Sequence, residues 1–113
     1  MSAWLRSKPP KVGWRVTTKE SLVKAKVVAI LKKEGVYYFF PATHGYGRAG
    51  VPDIVCCVAG WFLGIECKTV GNKPTALQVR ELERIRMAGG VAVVVDETNY
   101  DMLPELIRKL REE

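Results

Sequence analysis

Between Gly50 and Thr69 two apolar runs, Ile54-Val55-Cys56-Cys57-Val58 and Trp61-Phe62-Leu63-Gly64-Ile65, flank the dipeptide Ala59-Gly60. Short apolar runs rich in β-branched and aromatic residues, joined by a turn dipeptide, predict an antiparallel hairpin. If Ala59-Gly60 is a two-residue loop, Val58 faces Trp61 and the ladder sets Asp53 opposite Glu66. Lys68, two residues on, then projects from the same face as Glu66. Directly opposed side chains in an antiparallel pair are about 4.5–5.5 Å apart at Cβ, where like charges repel. Two carboxylates held in that way beside a lysine point to a divalent-cation site. A four-residue loop keeps this pairing, whereas a three-residue loop or a one-residue slip turns Glu66 and Lys68 away from Asp53. Solvated charges on an edge hairpin are the alternative. Apolar residues on both faces favour a sheet covered on both sides, in which emerging charges need partners.

The remaining pattern supplies the elements around this hairpin. Residues 1–16 hold Trp4, Trp14, Pro9-Pro10 and four basic residues with no acidic one, which predicts an extended basic, aromatic arm rather than a helix. Residues 17–113 form the single domain, long enough to bury about two-thirds of its unfolded surface. Val23, Val27, Ile30 and Leu31 recur at helical spacing within a helix from Thr17 to Lys33, stopped by Gly35. Glu20 projects near that stripe and is a candidate ligand. It is equally well placed to close a capping box with Thr17. Val36 to Phe40 reads as a strand, followed by the glycine-rich loop Thr43-His44-Gly45-Tyr46-Gly47-Arg48-Ala49-Gly50, suited to close approach by a phosphate. After a loop containing Lys73, a second helix runs from Thr75 to Ala88. Gln78 faces inward at its start, again with a capping-box alternative to Thr75. Arg80, Arg84 and Arg86 alternate with Glu81 and Glu83, as on a solvated face. Val91 to Val95 is a buried strand, and an apolar-striped helix starts near Asp101. The order α-β-β-β-α-β-α describes an α/β fold with a mixed sheet flanked by helices.

Charge and cysteine content narrow the function. The net charge is +6. Residues 1–58 carry ten Lys/Arg against three Asp/Glu, and residues 59–113 eight against nine. Such asymmetry favours a polyanionic partner such as nucleic acid. Cys56, Cys57 and Cys67 make no disulfide framework, and one histidine without a C-x-x-C pattern argues against structural zinc. Buried free thiols are expected. No stretch approaches the ~20 apolar residues of a membrane span, and no signal-peptide pattern opens the chain, so a cytoplasmic location is expected.

Pro52-Asp53, thirteen residues before Glu66, and Glu66-Cys67-Lys68 match the P-D…(D/E)-x-K signature of the restriction-endonuclease-like nucleases. The wider context resembles a stand-alone VRR-NUC domain of phage or bacterial type. It includes Glu20 in an early helix, Arg48-Ala49-Gly50-Val51-Pro52-Asp53, Glu66-x-Lys68, Gln78 opening the next helix, and a Gly-Val-Ala-Val-Val-Val strand. The likeness covers about Glu20 to Val95. It implies a restriction-endonuclease-like fold and a DNA endonuclease dependent on Mg²⁺ or Mn²⁺. Asp53, Glu66, the Cys67 backbone carbonyl and Glu20 would be metal ligands, with Lys68 and Gln78 catalytic. Arg48 and His44 of the glycine-rich loop, with Lys73, are the expected DNA contacts. Stand-alone members of the family are similar to homodimeric Holliday-junction resolvases, which implies branched DNA as substrate. A nuclease with little regard for DNA structure, or a non-catalytic DNA-binding module on the same fold, would share the basic charge.

Overall fold

The structure is a computed structural model describing residues 18–42 and 47–113. The arm at residues 1–16, Thr17 and His44 lie outside the described residues. Helix α1 spans Lys19–Lys33, followed by strands β1 (Tyr37–Phe39), β2 (Ile54–Val58) and β3 (Trp61–Cys67). Helix α2 (Ala76–Met87), strand β4 (Val91–Val95) and helix α3 (Met102–Glu112) complete the chain. This is the expected α-β-β-β-α-β-α order. The four strands form one mixed sheet in the order β1-β2-β3-β4, antiparallel except for β3 against β4. Helix α2 makes the crossover that a parallel pair requires.

The hairpin register follows from its turn. Val58 pairs with Trp61 and Ile54 with Ile65. Both loop residues have positive φ, 50° at Ala59 and 87° at Gly60, as a type I′ turn demands. That turn matches the right-handed twist of the strands, so the count of residues from it fixes the facing pairs. Carried one residue beyond Ile54 and Ile65, the register sets Asp53 against Glu66.

Period-two alternation divides the sheet into two faces. Ile54, Cys56, Val58, Leu63, Ile65, Cys67 and Val95 point to the main core. There they meet Val23, Val27, Val28, Ile30 and Leu31 of α1 and Leu103, Ile107 and Leu110 of α3. The other face bears Asp53, Val55, Gly64, Glu66 and Ala92 and is covered by α2. Gly64 is small because α2 comes close. A Cβ there would stand 2.9 Å from Ile85 Cδ1 and 3.0 Å from Pro52 Cγ. The cover is incomplete toward the β1–β2 side of the sheet, where Tyr37, Phe39 and Cys57 are exposed, as is Phe62 of β3. All three cysteines are free, with Cys56 and Cys67 buried. Cys57 departs from the expectation of a buried thiol because α2 lies over β3 and β4 and leaves this face of β2 open. Among the described residues, no helix is long and apolar enough to cross a membrane.

Helix α1 starts at Lys19, two residues after the expected Thr17. Its N-cap is Thr18, whose hydroxyl accepts from the Ser21 amide while Ser21 Oγ accepts from the Thr18 amide. This reciprocal pair is the capping box among the described residues, and Glu20 Oε1 lies 3.7 Å from Lys68 Nζ.

Candidate active site

The carboxylates stand where the β2–β3 ladder ends. Glu66 is the penultimate residue of β3 and is 2% exposed. Asp53 immediately precedes β2, and its Oδ2 accepts the Cys67 backbone N–H at 2.8 Å. That bond continues the ladder with a side chain, and it keeps the Asp53 carboxyl near enough for its charge to act on Glu66.

Three further side chains converge on this pair. Gln78 Nε2 donates to Glu66 Oε2 at 3.0 Å, while its Oε1 accepts the Thr75 amide at 2.8 Å. The two roles offered by the sequence are therefore simultaneous, since a carboxamide has both a donor and an acceptor end. Lys68 Nζ stands 3.8 Å from Glu66 Oε2 and 3.7 Å from Glu20 Oε1, with its side chain largely buried. The chain Gln78–Glu66–Lys68–Glu20 thus joins the starts of α2 and α1 across the end of β3.

The electrostatics are those of an under-compensated anion site. Burial, and then the negative charge of Asp53, push the Glu66 carboxyl up to about 8, with Lys68 pulling the other way. Glu66 Oε1 is buried with no hydrogen-bond partner. Buried polar oxygens are nearly always paired, and an orphan beside a second carboxylate is the environment a hard cation satisfies. Carboxylate oxygens of this kind suit Mg²⁺ or Mn²⁺. Among the described residues, no group of three or more His, Cys, Asp or Glu side chains is gathered closely enough to enclose a metal ion. Burial and the same carboxylates push the Cys67 thiol far up, so it stays protonated on the core face.

A cleft of about 270 Å³ lined by Lys24, Phe40, Gly50, Pro52, Asp53 and Gln78 opens onto Asp53. Its wall is rigid at Gly50. There φ is +87°, and a Cβ would lie 2.6 Å from the Leu77 carbonyl oxygen. The segment leading into Asp53 therefore lies against the first turn of α2, next to Gln78.

Comparison with known proteins decides the family. The chain is 36% identical over 90 residues, 79% of its length and 94% of the relative's, to "Putative nuclease p44" of Acyrthosiphon pisum secondary endosymbiont phage 1. A solved structure described as "VRR_NUC domain" superposes with a TM-score of 0.62 at 26% identity, covering 86% of this chain and 98% of that one. The chain belongs to the VRR-NUC nuclease family. No protein-family model matches it. The fold is the restriction-endonuclease-like arrangement expected of a VRR-NUC domain.

This VRR-NUC chain brings Glu20, Asp53, Glu66, Lys68 and Gln78 together. Arg48 and Lys73 lie outside that cluster. Lys73 is exposed in the loop before α2. Arg48 donates from Nε to Glu81 Oε1 at 3.0 Å. Two residues absent from the sequence expectations adjoin the site. Lys24, on the cleft wall and stacked 4.7 Å from the Phe40 ring, is one turn beyond Glu20. The i, i+4 spacing from Glu20 was the signal for it. Glu81, 3% exposed, occupies the turn of α2 after Gln78. Its surrounding charges disguised it as a surface residue.

Proposed function

We propose that this VRR-NUC protein is a divalent-metal-dependent endodeoxyribonuclease that hydrolyses phosphodiester bonds. The observation that carries the reading is the convergence of Asp53 and the buried, half-partnered Glu66 beside Lys68.

Asp53, Glu66, the Cys67 backbone carbonyl and, at the margin, Glu20 are the groups that would hold Mg²⁺ or Mn²⁺. Bound there, the ion supplies Lewis acidity, lowering the pKa of a coordinated water and offsetting charge on the phosphate. Asp53 is fixed by the Cys67 amide and Glu66 by Gln78, so neither carboxylate must reorganise as charge develops. Gln78 is thus a positioning residue for Glu66. Lys68, an ammonium flanked by two carboxylates, orients the attacking water by hydrogen bonding and offsets negative charge on the phosphate. Water adds to phosphorus, one P–O ester bond breaks, and the leaving oxygen takes up a proton. Arg48, with Lys73 and His44, contacts phosphates of the bound strand.

Branched DNA cut by a homodimer is the substrate reading that follows from the likeness to junction resolvases. One site cuts one strand, and paired cuts on a symmetric junction need two sites related by a two-fold axis.

Cleavage of matched four-way, flap, single-stranded and linear duplex DNA with Mg²⁺, Mn²⁺ or EDTA tests the proposal. Metal-dependent cutting that favours the four-way substrate is expected, with Asp53→Ala, Glu66→Ala and Lys68→Ala nearly inactive but still binding DNA. Cutting by Asp53→Ala with metal present would refute the site. A monomer at working concentration in light scattering would refute the dimer.

A further inference from the structure

We infer that Arg48, Arg80 and Arg84, gathered around the buried carboxylate of Glu81, form a second phosphate-holding station that fixes the DNA strand beside the cut; this rests on the nuclease reading above. Arg48 Nε is 3.0 Å from Glu81 Oε1, and Arg84 Nη1 and Arg80 Nε are 3.5 and 4.0 Å from Oε2. One arginine would neutralise Glu81, whereas three leave a surplus of positive charge at one spot. The three side chains are 60%, 56% and 55% exposed, so the guanidinium groups lie at the surface although their shared anchor does not. Guanidinium has five donors in a planar fork. Arg48 spends one on Glu81, and among the described residues its terminal nitrogens have no other partner. An anchored fork with donors to spare is suited to phosphate oxygens.

The station is also placed for a strand already in the active site. Glu81 follows Gln78 by three residues on α2, a rise of about 4.5 Å along the helix axis. Successive phosphates of one DNA strand advance about 3.4 Å along the duplex axis. Arg48 is five residues before Asp53, on the segment pressed against α2 at Gly50. Arg48, Arg84 and Glu81 border a groove of about 460 Å³ with Phe62, Ile85 and Ala88 along its apolar side. A charged rim over an apolar floor fits a sugar–phosphate backbone.

Phosphate contacts are read by salt dependence. Each one contributes about −0.9 to the slope of log K against log salt. Binding of labelled duplex DNA is measured in an Asp53→Asn background without added metal, so that no cutting interferes. Arg48→Gln, Arg80→Gln and Arg84→Gln are each expected to flatten that slope by about 1 and to weaken binding alike across sequences. In the active protein each is expected to raise KM more than it lowers kcat. Unchanged slopes in variants that melt as the parent does would overturn the station and leave arginines that merely neutralise Glu81. Should Arg48→Gln fail to fold, the two variants on the surface of α2 decide the matter. A parent that never cuts, yet shows slopes sensitive to the arginines, would sink the nuclease reading and leave the station standing. Metal-dependent cutting with insensitive slopes would do the reverse.

Discussion

Glu66→Gln separates what the buried carboxylate costs the fold from what it does for the reaction. Glutamine keeps the shape and the polar atoms but never ionises. In the folded protein Glu66 is pushed from 4.5 to about 8, first by burial and then by Asp53. At about 1.4 kcal/mol per unit this amounts to about 5 kcal/mol, an upper value since relaxation and water entry reduce it. The sign follows from proton counting. Between pH 4.5 and 8 the native state holds a proton that the unfolded chain has released, so stability falls as pH rises through that window and levels off above it.

Denaturant unfolding in EDTA from pH 5 to 9, wild type against E66Q, reads the effect as a difference profile. The two proteins are expected to match within about 1 kcal/mol at pH 5, where the wild-type carboxyl is protonated. At pH 8.5, E66Q is expected to be the more stable by about 2–5 kcal/mol, from the same conversion. Millimolar Mg²⁺ is then expected to stabilise wild type at pH 8.5, by about 2.7 kcal/mol at a hundred times its Kd, and to leave E66Q nearly unchanged. E66Q would be inactive throughout. Parallel pH profiles in EDTA would refute the claim that Glu66 is held uncompensated.

Other positions give sharper local tests. Ala59 occupies a left-handed conformation with φ 50°, so Ala59→Asn is expected to gain about 0.5–1 kcal/mol in thermal unfolding while cleavage is unaffected. Gly50→Ala places a methyl 2.6 Å from the Leu77 carbonyl oxygen at φ +87°. It is expected to cost about 1–3 kcal/mol and, by shifting Asp53 relative to Gln78, to reduce kcat in excess of its effect on stability. Gln78→Ala removes the capping bond and the Glu66 bond together, a loss of about 1–2 kcal/mol in melting experiments. Gln78→Glu keeps an acceptor for the Thr75 amide but loses the amide donor to Glu66, so it is expected to retain more stability than Gln78→Ala and cut no better. A Gln78→Glu protein as active as wild type would show that the amide donor is dispensable.

Legibility in the sequence tracked the range of the interaction. The facing of Asp53 and Glu66 was readable because a two-residue turn converts position into register by counting. Element order was readable because each helix and strand carries its own period and stop signal. The start of α1 was less so. Thr17-Thr18-Lys19-Glu20-Ser21 offers two overlapping boxes, and the local pattern does not choose between Glu20 and Ser21 as the N3 partner. Tertiary contact resolves it, since Lys68 provides a counter-charge for Glu20. Gln78 was ambiguous for a different reason: cap and site were weighed as rivals, although one amide serves both. Glu81 was misread outright. Its burial depends on Arg48, 33 residues away, and helix periodicity carries no sign of that pairing.

The site sits where it does because that is where the sheet runs out of backbone partners. Within β2 and β3 the facing amides and carbonyls satisfy one another. At Cys67 the N–H passes to the Asp53 carboxylate instead, so the last rung of the ladder is also the bond that orients a candidate ligand. Beyond it, Lys68 returns its backbone N–H to the Val95 carbonyl at 3.0 Å, which fixes where its side chain departs. Helix α2 then closes the arrangement from one side, with Thr75 capping it, Gln78 holding Glu66 and Glu81 holding Arg48. These contacts share a single rigid element, so a displacement of α2 moves the carboxylate and the arginines together. That coupling makes the positions where α2 touches the sheet and the loop, Gly64 against Ile85 and Gly50 against Leu77, as restrictive for the site as the charged residues themselves.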